Sequence, residues 1–152
     1  MKPVLQALLL AERVYEDKSG KKIIAGTFFR IGMTKRSPHG EAETADGVRI
    51  PTIMGGTAVG SPYAYISLTD VCDEAELSLQ FYSRSRNQVL LATHIKVECN
   101  DRLETVEIIA ALPELQACVP EPGIYALELL CEGEILGSHR IVAVDLDEGR
   151  GT

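Results

Sequence analysis

The sequence predicts an all-β domain, a single antiparallel β-sandwich of about eight strands, and three observations carry that expectation. In AELSLQFYS, Leu77, Leu79 and Phe81 alternate with Glu76, Ser78 and Gln80. That period of two gives an extended chain one buried and one wet side, and a helix cannot turn it into a face. QVLLATHIKVE repeats the device, with Val89, Leu91, Ile95 and Val97 expected inward and His94, Lys96 and Glu98 outward. Finally, GIYALELL and EILGSHRIVAVD are joined at Cys131-Glu132-Gly133-Glu134, where a Gly in a tight link between β-prone runs signals a hairpin.

Taken in order, residues 3 to 15 are ambiguous. Leu5, Leu8, Leu9 and Glu12 fit a helical stripe, so an α+β fold with an N-terminal helix is the alternative. Strand is preferred because Asp17-Lys18-Ser19-Gly20 is a turn of hairpin length and KIIAGTFFRIGMT, β-rich in type, follows it. From 34 to 62 the composition shifts toward Gly and Pro, as in a long connection with a short edge strand near Val48 to Ile53. Strands are then expected at Tyr63 to Thr69, over the two alternating runs, and at Leu103 to Ala111. The last of these is β-branched at Thr105, Val106, Ile108 and Ile109. The Pro-rich link from Leu112 to Pro122 has room for one helical turn at Pro113 to Ala117 before the closing hairpin.

A chain of 152 residues is one ordinary domain, able to bury about two-thirds of its unfolded surface without a disulfide or metal staple. The net charge of −7 opposes a phosphate backbone, so nucleic acid is not the expected partner. Cys72, Cys99, Cys118 and Cys131 show no C-x-x-C spacing and read as free thiols in a reducing compartment. LQALLLA is too short for a membrane span and no small-residue cleavage site follows it. The expectation is a cytoplasmic protein with a protein partner, no membrane association and no cofactor.

The arrangement of an LLLAERVY strand, a GTF-like second strand, a long Gly/Pro connection, a YISLTD strand and a closing G-x-Y-x-L hairpin resembles a family of small bacterial β-sandwich proteins of unknown function. The residues that carry the likeness are Ala11, Gly26, Leu68, Gly123 and Tyr125. The resemblance implies an all-β fold and brings no active site with it.

Chemical motifs are weak. Gly55-Gly56-Thr57-Ala58-Val59-Gly60-Ser61 lacks the Lys-Ser or Lys-Thr of a phosphate loop and no helix is expected to follow it. Asp145-Leu146-Asp147-Glu148-Gly149 opens like a calcium loop, but the sequence ends before the bidentate Glu such a loop requires. His39, His94 and His139 stand far apart, the latter two read as exposed strand residues, and no serine sits in a G-x-S-x-G elbow.

Strand direction is more informative. If eight strands alternate, one end of the domain collects the turns 16–21, 70–74, 99–102 and 131–134, and the other collects 34–62, 83–87 and 112–122. The first end is acidic: Asp70, Asp73, Glu74 and Asp101 could hold calcium, although solvated turn carboxylates beside Lys18, Lys21 and Arg102 are the plainer reading. The second carries Lys35, Arg36, Arg49, Arg84 and Arg86, fixed cations on long loops, and is the expected partner surface. The resulting expectation is a non-enzymatic interaction or structural module. The alternatives are a hydrolase or lyase with a loop-built site, and a calcium- or carbohydrate-binding module.

Overall fold

The structure is a computed structural model that describes residues 2–33, 41–43, 49–51 and 61–145. The all-β expectation holds. Among the described residues there are eleven strands and one turn of 3-10 helix. The strands are β1 (Val4–Glu16), β2 (Lys22–Thr27), β3 (Arg30–Met33), β4 (Glu41–Glu43), β5 (Arg49–Pro51), β6 (Tyr63–Thr69), β7 (Asp73–Ser83), β8 (Gln88–Cys99), β9 (Val106–Ala111), β10 (Gly123–Cys131) and β11 (Glu134–Asp145). They form a four-stranded sheet in the order β2-β1-β6-β9 and a five-stranded sheet in the order β3-β11-β10-β7-β8. The short β4–β5 ladder stands as a third sheet and supplies the edge segment expected near Pro51.

The helical alternative for residues 3 to 15 is overturned. Val4–Glu16 is extended, paired with β2 on one side and β6 on the other. Leu and Ala favour helix only weakly, and ladder bonds on both flanks with Leu10 fully buried outweigh that preference.

The expected second strand is in fact two. Gly26 adopts φ 73°, in the left-handed region, one residue before β2 ends, and the chain leaves the four-stranded sheet after Thr27, which still pairs with Ala11. Phe28 is buried, with its N–H donated to the Leu10 carbonyl, and β3 enters the five-stranded sheet parallel to β11. Strict alternation through eight strands fails for the same reason: β1 runs antiparallel to β6, not parallel. The 17–21 turn therefore lies at the end where β6 begins, away from the 70–74 and 99–102 turns with which alternation grouped it.

The inner faces of the two main sheets share one core. Leu10, Ile66 and Leu68 come from the four-stranded sheet, and Leu77, Leu79, Phe81, Leu127, Leu129 and Ile141 from the five-stranded one. Phe81 stacks on Tyr125 with ring centroids 5.5 Å apart and planes 16° from parallel. Leu115, on the single 3-10 turn, is fully buried. Leu91 and Ile95, expected buried, are half-buried because β8 is an edge strand, and Gln80, expected exposed, is half-buried. Val89, expected inward, points out. A register shift between Phe81 and Tyr82 seats Leu90 and Leu91 together against the core and pairs Val89 with Tyr82. Strand β9 starts at Val106, and Leu103 before it is exposed.

The sheets come closest where β1 meets β11, since a Cβ on Gly137 would overlap the Leu5 Cδ2 methyl. Near this contact His139 is turned inward, opposite Leu127, with its Nδ1 buried and unpartnered among the described residues. Burial holds its pKa below the ordinary 6.5, because the charged ring would lose its water.

Two outcomes follow from this contact. Gly137→Val should destabilise the fold by about 1–3 kcal/mol through overpacking against Leu5, read by denaturant unfolding, while Ser138→Val on the wet side should change little. As pH falls below 6.5, the unfolded chain takes up a proton at His139 that the folded chain resists, so stability should fall there. In His139→Leu that part of the acid-side loss should vanish, and an unchanged stability-against-pH curve would refute it.

Candidate interaction surface

The register of the two sheets decides which loops meet. The carbonyl of Pro62, just before β6, accepts the N–H of Leu112, just after β9, and Arg84, just after β7, donates its N–H to the Ile124 carbonyl at the start of β10. Met33, the last residue of β3, lies level with Asp145, on the side of β11 that pairs with Gly123. The connections 34–60, 84–87 and 112–122 are thus all anchored at this end. Lys35 and Arg36 lie outside the described residues, and of Arg49 only its backbone place in β5 is described.

Arg84 and Arg86 play different parts. The 84–87 turn closes because Ser83, fully buried, accepts the Arg86 N–H at 3.2 Å and Asn87 takes φ 52°. The Arg86 Nε then donates to Glu121 at 2.8 Å, and the Tyr125 hydroxyl donates to the Glu121 carbonyl at 2.6 Å. The hydrogen bond and charge of Glu121 raise the Arg86 pKa, and Arg86 in turn holds the Glu121 carboxyl below its usual range. Arg86 is therefore a brace between the turn and the Pro-rich link. Arg84 is exposed and makes no ion pair among the described residues.

Two further cations join Arg84, and sequence reasoning missed both. On the outer face of the five-stranded sheet, Arg30 is level with Val142 and Val142 with Ile124; one step along, Arg140 is level with Ala126, Ala126 with Tyr82 and Tyr82 with Val89. Their chain neighbours Tyr125, Ile141 and Ala143 are buried, so alternation sends this set outward. Ile124 is 44% exposed and Val89 43%. The Arg30 guanidinium lies 5.5 Å from the centroid of the Phe29 ring, itself 54% exposed. Three arginines thus flank an apolar strip that is open at Ile124 and Val89, with Val142 half-buried and Ala126 covered between them. The tight Glu132-Gly133 turn alone would set His139 opposite Ala126; a register shift between Leu129 and Leu130 puts Arg140 there instead, and nothing in the sequence marks that shift.

The far half of the same face is acidic, with Glu74, Glu76 and Glu98 around Lys96. Lys96 sits 3.4 Å from Glu74 and 3.8 Å from Glu98. The proposed calcium carboxylates do share that end, where Asp70 N–H donates to the Arg102 carbonyl and Asp73 pairs with Cys99. They are engaged separately: Glu74 with Lys96, Asp101 as acceptor of the Leu103 N–H, Asp70 as acceptor of the Thr69 hydroxyl. Among the described residues no three His, Cys, Asp or Glu side chains come together as a metal set. All four cysteines are unbridged. His94 is exposed, His39 lies outside the described residues, and so do 55–60 and 146–149.

No protein-family model matches the chain, and a search of curated proteins finds no significant match.

Proposed function

We propose that the chain is a β-sandwich of two facing sheets that works as a non-enzymatic, cytoplasmic interaction module. Its partner is an acidic protein segment bearing an apolar anchor, taken up at the loop end. The observation that carries this reading is the strip of Ile124, Val142 and Val89 with Arg30, Arg84 and Arg140 around it. Aromatic and arginine side chains are the types that carry binding energy at interfaces, and arginine pairs with carboxylates in two-point fashion. A protein of net charge −7 that gathers cations beside exposed apolar side chains has a local field opposite to its overall one. That favours an acidic partner at this end and disfavours it elsewhere. Lys35, Arg36 and Arg49 belong to the connection anchored here, where Glu41, Glu43 and Asp46 offset their charge. Arg86 contributes indirectly, by holding the 84–87 turn against residues 121–125.

The test begins by cross-linking the native chain in cells and identifying the protein held at this end. With the purified partner, Arg84→Glu and Arg140→Glu should each weaken binding by about 1.5–3 kcal/mol, the worth of a hydrogen bond to a charged group. Their loss should grow at low salt, where the charges are less screened. Lys96→Glu, on the acidic half of the same face, should not weaken it. Equal affinity for the Arg84 and Arg140 variants would end this reading.

A further inference from the structure

The two main sheets differ on their outer sides. On the five-stranded sheet, polar and charged residues occupy most outward positions, as expected of a face in water. The four-stranded sheet breaks that rule. Leu10, Ile66 and Ile108 point to the core, so alternation sends Leu9, Tyr65 and Ile109 the other way, level with one another across β1, β6 and β9. The same face carries Val4 at 48% exposure, Tyr15 at 52%, Ile23 at 49% and Ile109 at 40%, with Tyr15 and Ile23 directly paired on the β1–β2 hairpin. Its charged residues are Arg13 on β1 and Glu107 on β9, so the face is close to neutral in a chain of net charge −7. Sheet strands that are apolar on both sides are the mark of a sheet covered on both sides.

We propose that a second copy of this chain covers the face, in a two-fold dimer that packs four-stranded sheet on four-stranded sheet. Two arguments choose a second copy. With strands about 4.8 Å apart and residues about 3.4 Å apart, four strands and the projecting hairpin present about 500–600 Å² in plane, and side-chain relief brings this near the about 800 Å² per partner of a standard interface. The second is charge. Arg13 and Glu107 lie toward opposite ends of the face along the strands. They also lie two strands apart, on β1 and β9, so a two-fold axis running obliquely across the strands exchanges both offsets and brings Arg13 of each copy toward Glu107 of the other, twice. Tyr65 presets one of these partners, since its hydroxyl donates to the Glu107 carboxylate and leaves that group further acceptor positions. This dimer uses a different face from the arginine-lined strip and does not depend on it.

Sedimentation velocity of the full chain across a concentration series tests the idea. A monomer–dimer equilibrium is expected, and Ile109→Lys or Ile23→Glu should weaken the dimer by about tenfold or more while leaving the circular dichroism spectrum unchanged. Arg13→Glu should weaken it as well, and adding Glu107→Arg in the same chain should restore it, an outcome that misfolding cannot imitate. A chain that stays monomeric throughout, one that associates without limit, or a dimer indifferent to the Ile109 and Ile23 substitutions would overturn the proposal. So would a failure of the charge exchange to restore association.

Discussion

The change of sheet between Gly26 and Arg30 is the constraint on which the remaining topology depends. A continuous strand from Lys22 to Met33 would have kept β3 beside β1 and left the five-stranded sheet without its outer member. Gly26, at φ 73°, kinks the end of β2 without a Cβ penalty, one residue before the last pair with β1, and a Cβ there would crowd the Glu12 side chain. Phe28 then goes inward and Phe29 outward, which closes one side of the core and opens one side of the arginine strip in the same two residues. Because β3 leaves in this direction, the 34–60 connection starts at the end where β6 begins. A backbone event of five residues thereby determines that the chain leaves β3 at the end that also carries the 84–87 and 112–122 loops.

Strand identity was largely legible because it is local. Leu77, Leu79 and Phe81 are inside as their alternation says, and the Glu132-Gly133 turn sits where the hairpin chemistry put it. What was not legible is non-local. Alternation of direction is a safe inference only while consecutive strands stay in one sheet, and Gly26, the one special residue near Phe28, reads in the sequence as an ordinary strand irregularity. Val89 shows the same limit on a smaller scale: one register shift after Phe81 reverses its side, and period-two counting cannot see it.

The candidate surface was half legible for a related reason. Arg84 and Arg86 were found because turn residues are visible as breaks between strands. Arg30 and Arg140 were not, since each lies inside a strand and becomes a neighbour of Arg84 only through cross-strand pairing. Separating Arg84 from Arg86 needed side-chain geometry, as nothing in the sequence ties Glu121 to one of them. The apolar outer face of the four-stranded sheet, by contrast, was on view. ALLLA, KIIAG, YAYISL and VEIIAA are nearly continuous apolar runs, unlike AELSLQFYS, and that difference separates a sheet meant to be covered twice from one that faces water.

The two surfaces also constrain each other. In the proposed sandwich the outer sides of the two sheets point in opposite directions, so the proposed dimer through the four-stranded sheets would carry its two arginine-lined strips facing away from each other. One short acidic segment could not reach both. A partner that is itself dimeric, or that carries two such segments on a linker long enough to pass around the assembly, would engage both strips. Its second binding event would then be intramolecular, and avidity would multiply two modest affinities without any new contact. A module of this kind needs neither strip to bind tightly alone. That suits a site built from exposed arginines, whose individual pairs are screened by salt, around a strip of a few apolar side chains.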